Sequence, residues 1–121
     1  MSSTRRYPRT ARVNVLVREI LADELERLDD ERLDLVTVMD VAVDPDLRHA
    51  RVLVDTPEGE ARDETVLAAL DEHRLRLQKA IAQQAKLKRT PLLAFAPDSV
   101  TRDAARLDDV LSHLEHPAQD E

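Results

Sequence analysis

Residues 35–54, LVTVMDVAVDPDLRHARVLV, decide the fold. Two runs rich in Val flank a short loop that begins at Asp44, where Pro45 fixes φ at the first corner of a turn and Asp44 can accept hydrogen bonds from the backbone ahead. This pattern predicts an antiparallel hairpin. Alternation predicts an apolar face made of Leu35, Thr37, Met39, Val41 and Val43 on the first strand and of Ala50, Val52 and Val54 on the second, with Asp40, His49 and Arg51 on the opposite side.

A two-stranded hairpin is not stable alone in water, so the rest of the chain must cover its apolar face. Thr10 is a suitable N-cap, and the apolar residues that follow it fall at helical spacing as far as Leu28. Residues 61–89 also have a helical pattern, but a straight helix of this length would span about 43 Å. We expect an interruption near residues 72–76, where His73 and Arg74 take apolar positions. The alternative is one bent helix with Arg74 extended along its surface.

Residues 92–96, LLAFA, predict a third strand between Pro91 and Pro97, and Asp98 or Ser99 can cap a last helix. A long helical crossover precedes the third strand, which can therefore run parallel to a strand of the hairpin. The predicted fold class is α+β with a three-stranded mixed sheet, in the order helix, hairpin, long interrupted helix, strand and C-terminal helix. We expect a flexible basic arm at 1–9, one domain at 10–114 and a disordered acidic tail at 115–121.

The composition excludes several classes of protein. The 121 residues contain no cysteine, which removes disulfides and thiolate chemistry, and no apolar run approaches the roughly 20 residues that span a membrane. The four histidines, His49, His73, His113 and His116, show no metal-ligand spacing, and no phosphate loop or nucleophile motif is present. We therefore expect a cytoplasmic monomer that is not an enzyme and that has no catalytic residue, metal or cofactor.

The charge is unevenly distributed along the chain. The net charge is −7, yet residues 1–18 carry five arginines and residues 73–97 carry six basic side chains, and neither stretch contains an acid. Such polarity directs binding to an anion more than the total charge does. A basic helical surface would contact phosphates, although a solvated helix face with no ligand has the same composition.

The hairpin sequence resembles that of the ribosome-binding factor A family, which assembles the bacterial small ribosomal subunit. The resemblance extends to Arg9, Arg12 and Val13 before it, and to the pattern from Leu87 through RTP, Phe95 and Asp98-Ser99 after it, and it covers about residues 9–111. It implies a KH-like fold of type II. The RNA-binding Gly-x-x-Gly loop of KH domains cannot be present, because Gly59 is the only glycine. The family has a kinked helix there, usually through a small Ala/Gly step, where this chain has His73, Arg74 and Leu75.

The resemblance implies a factor that binds the immature small ribosomal subunit and its rRNA and supports maturation of the rRNA 5′ end. Ribosomal proteins and an assembly GTPase are further candidate partners. The alternative function is a module that binds a basic ribosomal or translation protein rather than RNA. The expected RNA-binding residues are Arg74, Arg76, Lys79, Lys86, Lys88 and Arg89, the arm residues Arg5, Arg6, Arg9 and Arg12, and Arg48 and Arg51 of the hairpin.

Overall fold

The computed structural model describes residues 10–99 and, beyond them, residues 103, 107, 108, 110 and 111. Its elements are α1 (Thr10–Arg27), a 3₁₀ turn (Glu31–Leu33), β1 (Thr37–Val43), β2 (His49–Asp55), α2 (Glu60–Glu72), α3 (Arg74–Ala85) and β3 (Leu92–Pro97). This order confirms the predicted α+β fold. Of these residues, Ser99 and residues 103, 107, 108, 110 and 111 are helical. The predicted arm, the tail and the remainder of the last helix lie outside the described residues.

The three strands form one mixed sheet with β2 in the centre. Strand β2 is antiparallel to β1 and parallel to β3, as predicted for a strand that follows a helical crossover. Helices α1, α2 and α3 contribute apolar side chains to one core with the sheet, including the fully buried Leu21, Leu70 and Ile81. Within the described residues, no helix has the length and apolar composition needed to cross a membrane.

The predicted alternation is confirmed in β2 and wrong in the first half of β1. Ala50, Val52 and Val54 are buried while His49 and Arg51 are exposed. In β1 the register shifts at Met39, between Val38 and Asp40. This β-bulge reverses the alternation, because one extra residue moves the side chains before it to the other face. The buried set is therefore Val38, Val41 and Val43, whereas Thr37 is exposed and Leu35 is 75% exposed.

The hairpin loop is a β-turn, as predicted. The N–H of Leu47 donates to the carbonyl of Asp44 at 2.8 Å, with Pro45 at the first corner. Leu47 adopts a left-handed conformation with φ of 63°. The loop carboxylate that accepts from the backbone ahead is Asp46, which binds the N–H of Arg48 at 3.0 Å.

The long helix is interrupted at His73, within the predicted range, and so the bent-helix alternative is wrong. His73 has φ of −97° and ψ of 8°, and it both ends α2 and begins α3. Its N–H donates to the carbonyls of Ala69 and Leu70, and its own carbonyl accepts from the N–H of Leu77 at 3.0 Å. The helix ends earlier than predicted, at Ala85, because Lys86 is left-handed with φ of 54°.

Side chains protect both edges of the sheet. On β1, Asn14 Oδ1 accepts from the N–H of Val43 at 2.8 Å, and Asp40 Oδ1 accepts from that of Val41 at 2.9 Å. On β3, Gln78 Oε1 accepts from the N–H of Leu93 at 3.1 Å. Pro97, at the end of β3, has no N–H to donate. These contacts limit pairing with a foreign strand.

Candidate nucleic-acid interface

The direction of α1 relative to the sheet follows from its contacts at two ends. Asn14, near the start of α1, binds the backbone of Val43, the last residue of β1. Leu25, near the end of α1, lines a cavity together with Val38, near the start of β1. Helix α1 therefore runs opposite to β1, and its N-terminal end lies beside the hairpin loop.

The direction of α3 follows in the same way. Gln78 contacts the backbone of Leu93, whereas Arg74, one turn earlier, lies over the ring of Phe95. Helix α3 therefore runs opposite to β3 and ends near the beginning of that strand. The N–H of Leu92 donates to the carbonyl of Arg48 at 2.9 Å, so the beginning of β3 also adjoins the hairpin loop. The first turn of α1, the hairpin loop and the 86–91 connection thus meet at one end of the domain.

Exposed cations from all three segments gather there. The carboxylates in these segments are Asp44 and Asp46. Arg48 Nε lies 3.6 Å from Asp46 Oδ2, but both side chains are about 60% exposed, so this pair contributes about 1 kcal/mol or less. We call this surface the basic end, and its members are Arg12, Arg48, Lys86, Lys88 and Arg89.

The conformation of Lys86 determines how the chain leaves α3. Helices commonly end in a left-handed residue, which is usually glycine because a side chain is strained there. Here that residue is Lys86, with φ of 54°. The strained turn directs the following residues away from the helix. Lys88 and Arg89 therefore lie in the connection to β3. The prediction that they lie on a helical surface is wrong.

The opposite end of the domain is acidic. Residues 23–34, at the end of α1 and in the 3₁₀ turn, carry seven acidic and two basic side chains. Residues 55–72, from the end of β2 through α2, carry seven acidic side chains and one basic side chain. Arg62 of α2 donates to the carbonyl of Arg32 at 3.1 Å, which joins these two stretches. The molecule therefore has a positive end and a negative end.

Arg74 lies apart from the other predicted cations. Its guanidinium is 5.9 Å from the centre of the Phe95 ring, a cation–π arrangement, and it forms an ion pair with Asp71. Its Nε is buried and has no hydrogen-bond partner. Arg74 and Lys79 are five positions apart, which places the two on different sides of α3. The six basic residues from 74 to 89 therefore do not form one continuous surface.

Arg76 and Lys79 face α1 instead. Arg76 Nε donates to Glu24 Oε2 at 2.9 Å, and the Glu24 side chain is only 11% exposed. Lys79 lines the same cleft between the two helices. Arg51 is exposed on the open face of the sheet, opposite Ala42 in β1 and Ala94 in β3. Arg5, Arg6 and Arg9 lie outside the described residues and precede Thr10, which begins α1 at the basic end.

Four residues that sequence reasoning did not connect stabilise the helix interruption. Arg32 contacts both oxygens of Glu72, at 2.8 and 2.9 Å, and Asp30 Oδ2 at 2.7 Å. His73 Nε2 lies 2.9 Å from the same Asp30 oxygen. Arg32 and His73 together hold the pKa of Asp30 well below its usual range, and Arg32 also lowers the pKa of Glu72. We call these residues, Asp30, Arg32, Glu72 and His73, the hinge cluster.

The described residues contain no group of three or more His, Asp or Glu side chains placed to hold a metal ion. The hinge cluster has one histidine and two carboxylates, but an arginine lies among them and takes both carboxylates. Its chemistry is that of an internal ion-pair network. The remaining charged surfaces are suited to binding a polyanion at one end of the domain.

Comparison with known proteins decides the family. The family model of ribosome-binding factor A matches residues 9–111. The chain belongs to the ribosome-binding factor A family. Ribosome-binding factor A of Rubrobacter xylanophilus is 38% identical over 111 residues, which cover 88% of this chain and 87% of the relative. The crystal structure of ribosome-binding factor A from Thermus thermophilus superposes with a TM-score of 0.68 at 33% identity, covering 75% of this chain and 97% of that one.

A homology model of Thermus thermophilus ribosome-binding factor A has been fitted into a cryo-electron microscopy map of a 30S–RbfA complex. It is 33% identical, with a TM-score of 0.61, and the match covers 72% of this chain and 92% of that chain. Ribosome-binding factor A is thus a family named for binding rather than for a reaction, and one member has been placed on the small subunit.

This member of the ribosome-binding factor A family achieves its helix interruption with bulky residues. The resemblance implies a kink through a small Ala/Gly step, but the chain bends here at His73, Arg74 and Leu75. The hinge cluster holds His73 from one side, and Phe95 covers the guanidinium of Arg74 from the other. Contacts between side chains can therefore replace the backbone freedom of a small residue.

Proposed function

We propose that the protein binds the immature small ribosomal subunit in the cytoplasm, as a monomer, and supports maturation of the 5′ end of its rRNA. Family membership and the Thermus thermophilus 30S–RbfA complex support this proposal. The observation that carries it is the basic end, where five exposed cations from three separate segments converge. The two carboxylates in these segments leave an excess of positive charge.

The contacts are with phosphate, sugar and RNA shape rather than with stacked bases. Tyr7 and Phe95 are the only aromatic residues, and Phe95 lies beneath the guanidinium of Arg74. Stacking platforms need several exposed rings. Lysine and arginine side chains at the basic end instead release counterions from the RNA, which supplies affinity without sequence specificity. The sheet serves as the scaffold that holds the loops.

Subunit binding is tested by removing three cations of the basic end. The variant Lys86→Ala/Lys88→Ala/Arg89→Ala lowers the net charge by three and should pellet with small subunits much less than the unchanged protein at moderate salt. Arg18→Glu/Thr65→Glu is the matched control, because it lowers the net charge by the same amount at exposed positions outside the basic end. Equal pelleting of the triple variant and the unchanged protein would remove the basic end from the interface.

Maturation of the rRNA is tested in cells that lack their own ribosome-binding factor A. Expression of this chain should restore the mature 5′ end of the small-subunit rRNA, as mapped by primer extension, and the triple variant should leave the 5′-extended precursor. If the precursor persists with the unchanged chain while that chain still pellets with subunits, binding and maturation are separate and the maturation proposal is wrong.

A further inference from the structure

A cleft of about 340 Å³ lies between α1 and α3, apart from the basic end. The two helices run in opposite directions, and the cleft opens where the last turn of α1 faces residues 76–84 of α3. Polar and charged side chains from both helices make up most of its wall. They are Glu24, Arg27, Arg76, Lys79, Gln83 and Gln84, with Ala80 between them.

Glu24 arranges two guanidinium groups at this cleft. Its Oε2 accepts from Arg76 Nε at 2.9 Å, and its Oε1 lies 3.6 Å from Arg27 Nη1. The carboxylate is held in the wall, with a side chain only 11% exposed, whereas the side chains of Arg27 and Arg76 are 59% and 50% exposed. One nearly buried anion thus holds Arg76 by a hydrogen bond and lies beside a second cation, Arg27, and both cations remain accessible to solvent. A guanidinium has five N–H donors, so a contact with Glu24 leaves donors for a second acceptor.

The charge and donor set of the cleft match a tetrahedral oxyanion. Lys79 adds a third cation, and the amides of Gln83 and Gln84 add neutral donors. Two carboxylates, Glu24 and Asp23, stand against the three cations of the cleft, so the net charge there is +1. Asp23 pairs with Arg27 at 2.9 Å. Arginine forks bind phosphate oxygens in pairs, and a lysine ammonium adds a point charge. A carboxylate in the wall that already bonds an arginine orients that arginine before the ligand arrives.

We propose that the α1–α3 cleft binds one phosphate group of RNA, as a site separate from the basic end. The choice of RNA as the source of the phosphate rests on the proposed function. Two kinds of RNA phosphate have this chemistry, the diester within a strand and the monoester at a 5′ end, and the monoester carries the greater negative charge. Arg27, Arg76 and Lys79 bind the phosphate oxygens, and Glu24 is a positioning residue.

The test is an NMR titration that follows the Nε–H signals of Arg27 and Arg76. Three probes are added to the full-length protein, namely inorganic phosphate, a six-nucleotide RNA with a 5′ hydroxyl, and the same RNA with a 5′ phosphate. We expect saturable shifts of both signals with the RNAs, and Lys79→Ala should weaken the binding by about tenfold or more, the effect of one charge-assisted contact. Tighter binding of the 5′-phosphorylated RNA assigns the site to the monoester, and equal binding assigns it to the diester.

Arg18→Ala is the matched control for Lys79→Ala. Arg18 is exposed and lies two and a half turns before Arg27, on the opposite side of α1. Its loss should leave the titration unchanged. Shifts that do not saturate, or an equal weakening by the two substitutions, would overturn the proposal.

The outcome is distinguishable from failure of the proposed function. If Lys79→Ala leaves the RNA affinity in the titration unchanged while the triple variant of the basic end no longer pellets with small subunits, the cleft proposal fails and the proposed function stands. If Lys79→Ala weakens RNA binding in the titration while the triple variant still pellets with subunits, the cleft proposal stands. The assignment of the basic end as the subunit-binding surface is then wrong.

Discussion

At the scale of the residue, ion pairs determine where this chain bends. The helix interruption has no glycine, and His73 is instead held by Asp30, which Arg32 also contacts. The sequence indicated a break near His73, since a polar residue stood in an apolar position. It did not indicate the partners, because Asp30 and Arg32 are about forty residues away and belong to an acidic stretch that resembles any solvated loop.

The hinge cluster makes the free energy of unfolding depend on pH in the acid range. Because the pKa of Asp30 and that of Glu72 are lower in the folded chain than in the unfolded chain, their contribution is complete above about pH 5 and is lost as the pH falls below about 4. Between pH 6 and pH 3, Asp30→Asn should therefore lose less of its free energy of unfolding than the unchanged protein does. Urea denaturation at each pH measures this. Asp29→Asn, an exposed neighbour, is the control, and parallel losses in all three proteins would contradict the role of Asp30.

Glu24 has a different residue-scale role, since it connects two helices. Glu24→Ala leaves Arg76 without its carboxylate and should lower the free energy of unfolding by about 1.5–3 kcal/mol, the range for a hydrogen bond to a charged group. Glu26→Ala, at an exposed position on the same helix, should stay within about 0.5 kcal/mol of the unchanged protein. Thermal or urea unfolding measures both variants, and equal effects would show that the Glu24–Arg76 pair contributes nothing.

At the scale of the element, Asn14 connects α1 to the edge of the sheet. Asn14→Ala removes the acceptor for the N–H of Val43 and should cost about 1 kcal/mol in urea denaturation. It also uncovers part of the β1 edge, so light scattering at high protein concentration should show more aggregation than with Arg12→Ala. A variant as stable and as soluble as the unchanged protein would show that water replaces Asn14 at this edge.

The strands and helices also differ in how well the sequence predicts them. Strand β2 alternates cleanly, and its faces were predictable from Ala50, Val52 and Val54. The first half of β1 was not predictable, because an inserted residue such as Met39 leaves no mark in a run of apolar side chains, whereas buried Val41 and Val43 were predicted. The end of α3 was missed because Lys86 is an ordinary helix former that becomes left-handed only in the folded chain. The α1–α3 cleft depends on helix directions, which periodicity does not provide.

At the scale of the whole molecule, separation of charge is the feature that the net value of −7 conceals. The basic blocks were visible in the sequence, but the topology was needed to show that Arg12 of the first block, Lys86, Lys88 and Arg89 of the second, and Arg48 meet at one end. Five phosphate contacts predict that the logarithm of the rRNA affinity falls with the logarithm of the salt concentration with a slope of about −3.5 to −4.5. Filter binding across a salt series measures this slope. A slope near zero would favour the alternative module that binds a basic protein.

The protected margins of the sheet restrict how any companion macromolecule can attach. Asn14 and Asp40 accept hydrogen bonds from backbone N–H groups of β1, and Gln78 accepts one from β3. Pro97 of β3 has no N–H to donate. Few backbone N–H groups at the sheet edges are therefore available to pair with a strand of another polypeptide. Recognition is left to loops and helix surfaces, whose side chains can vary without disturbing the scaffold. A protein that must both bind and leave its partner gains from this arrangement, because contacts made by side chains alone can be released one at a time.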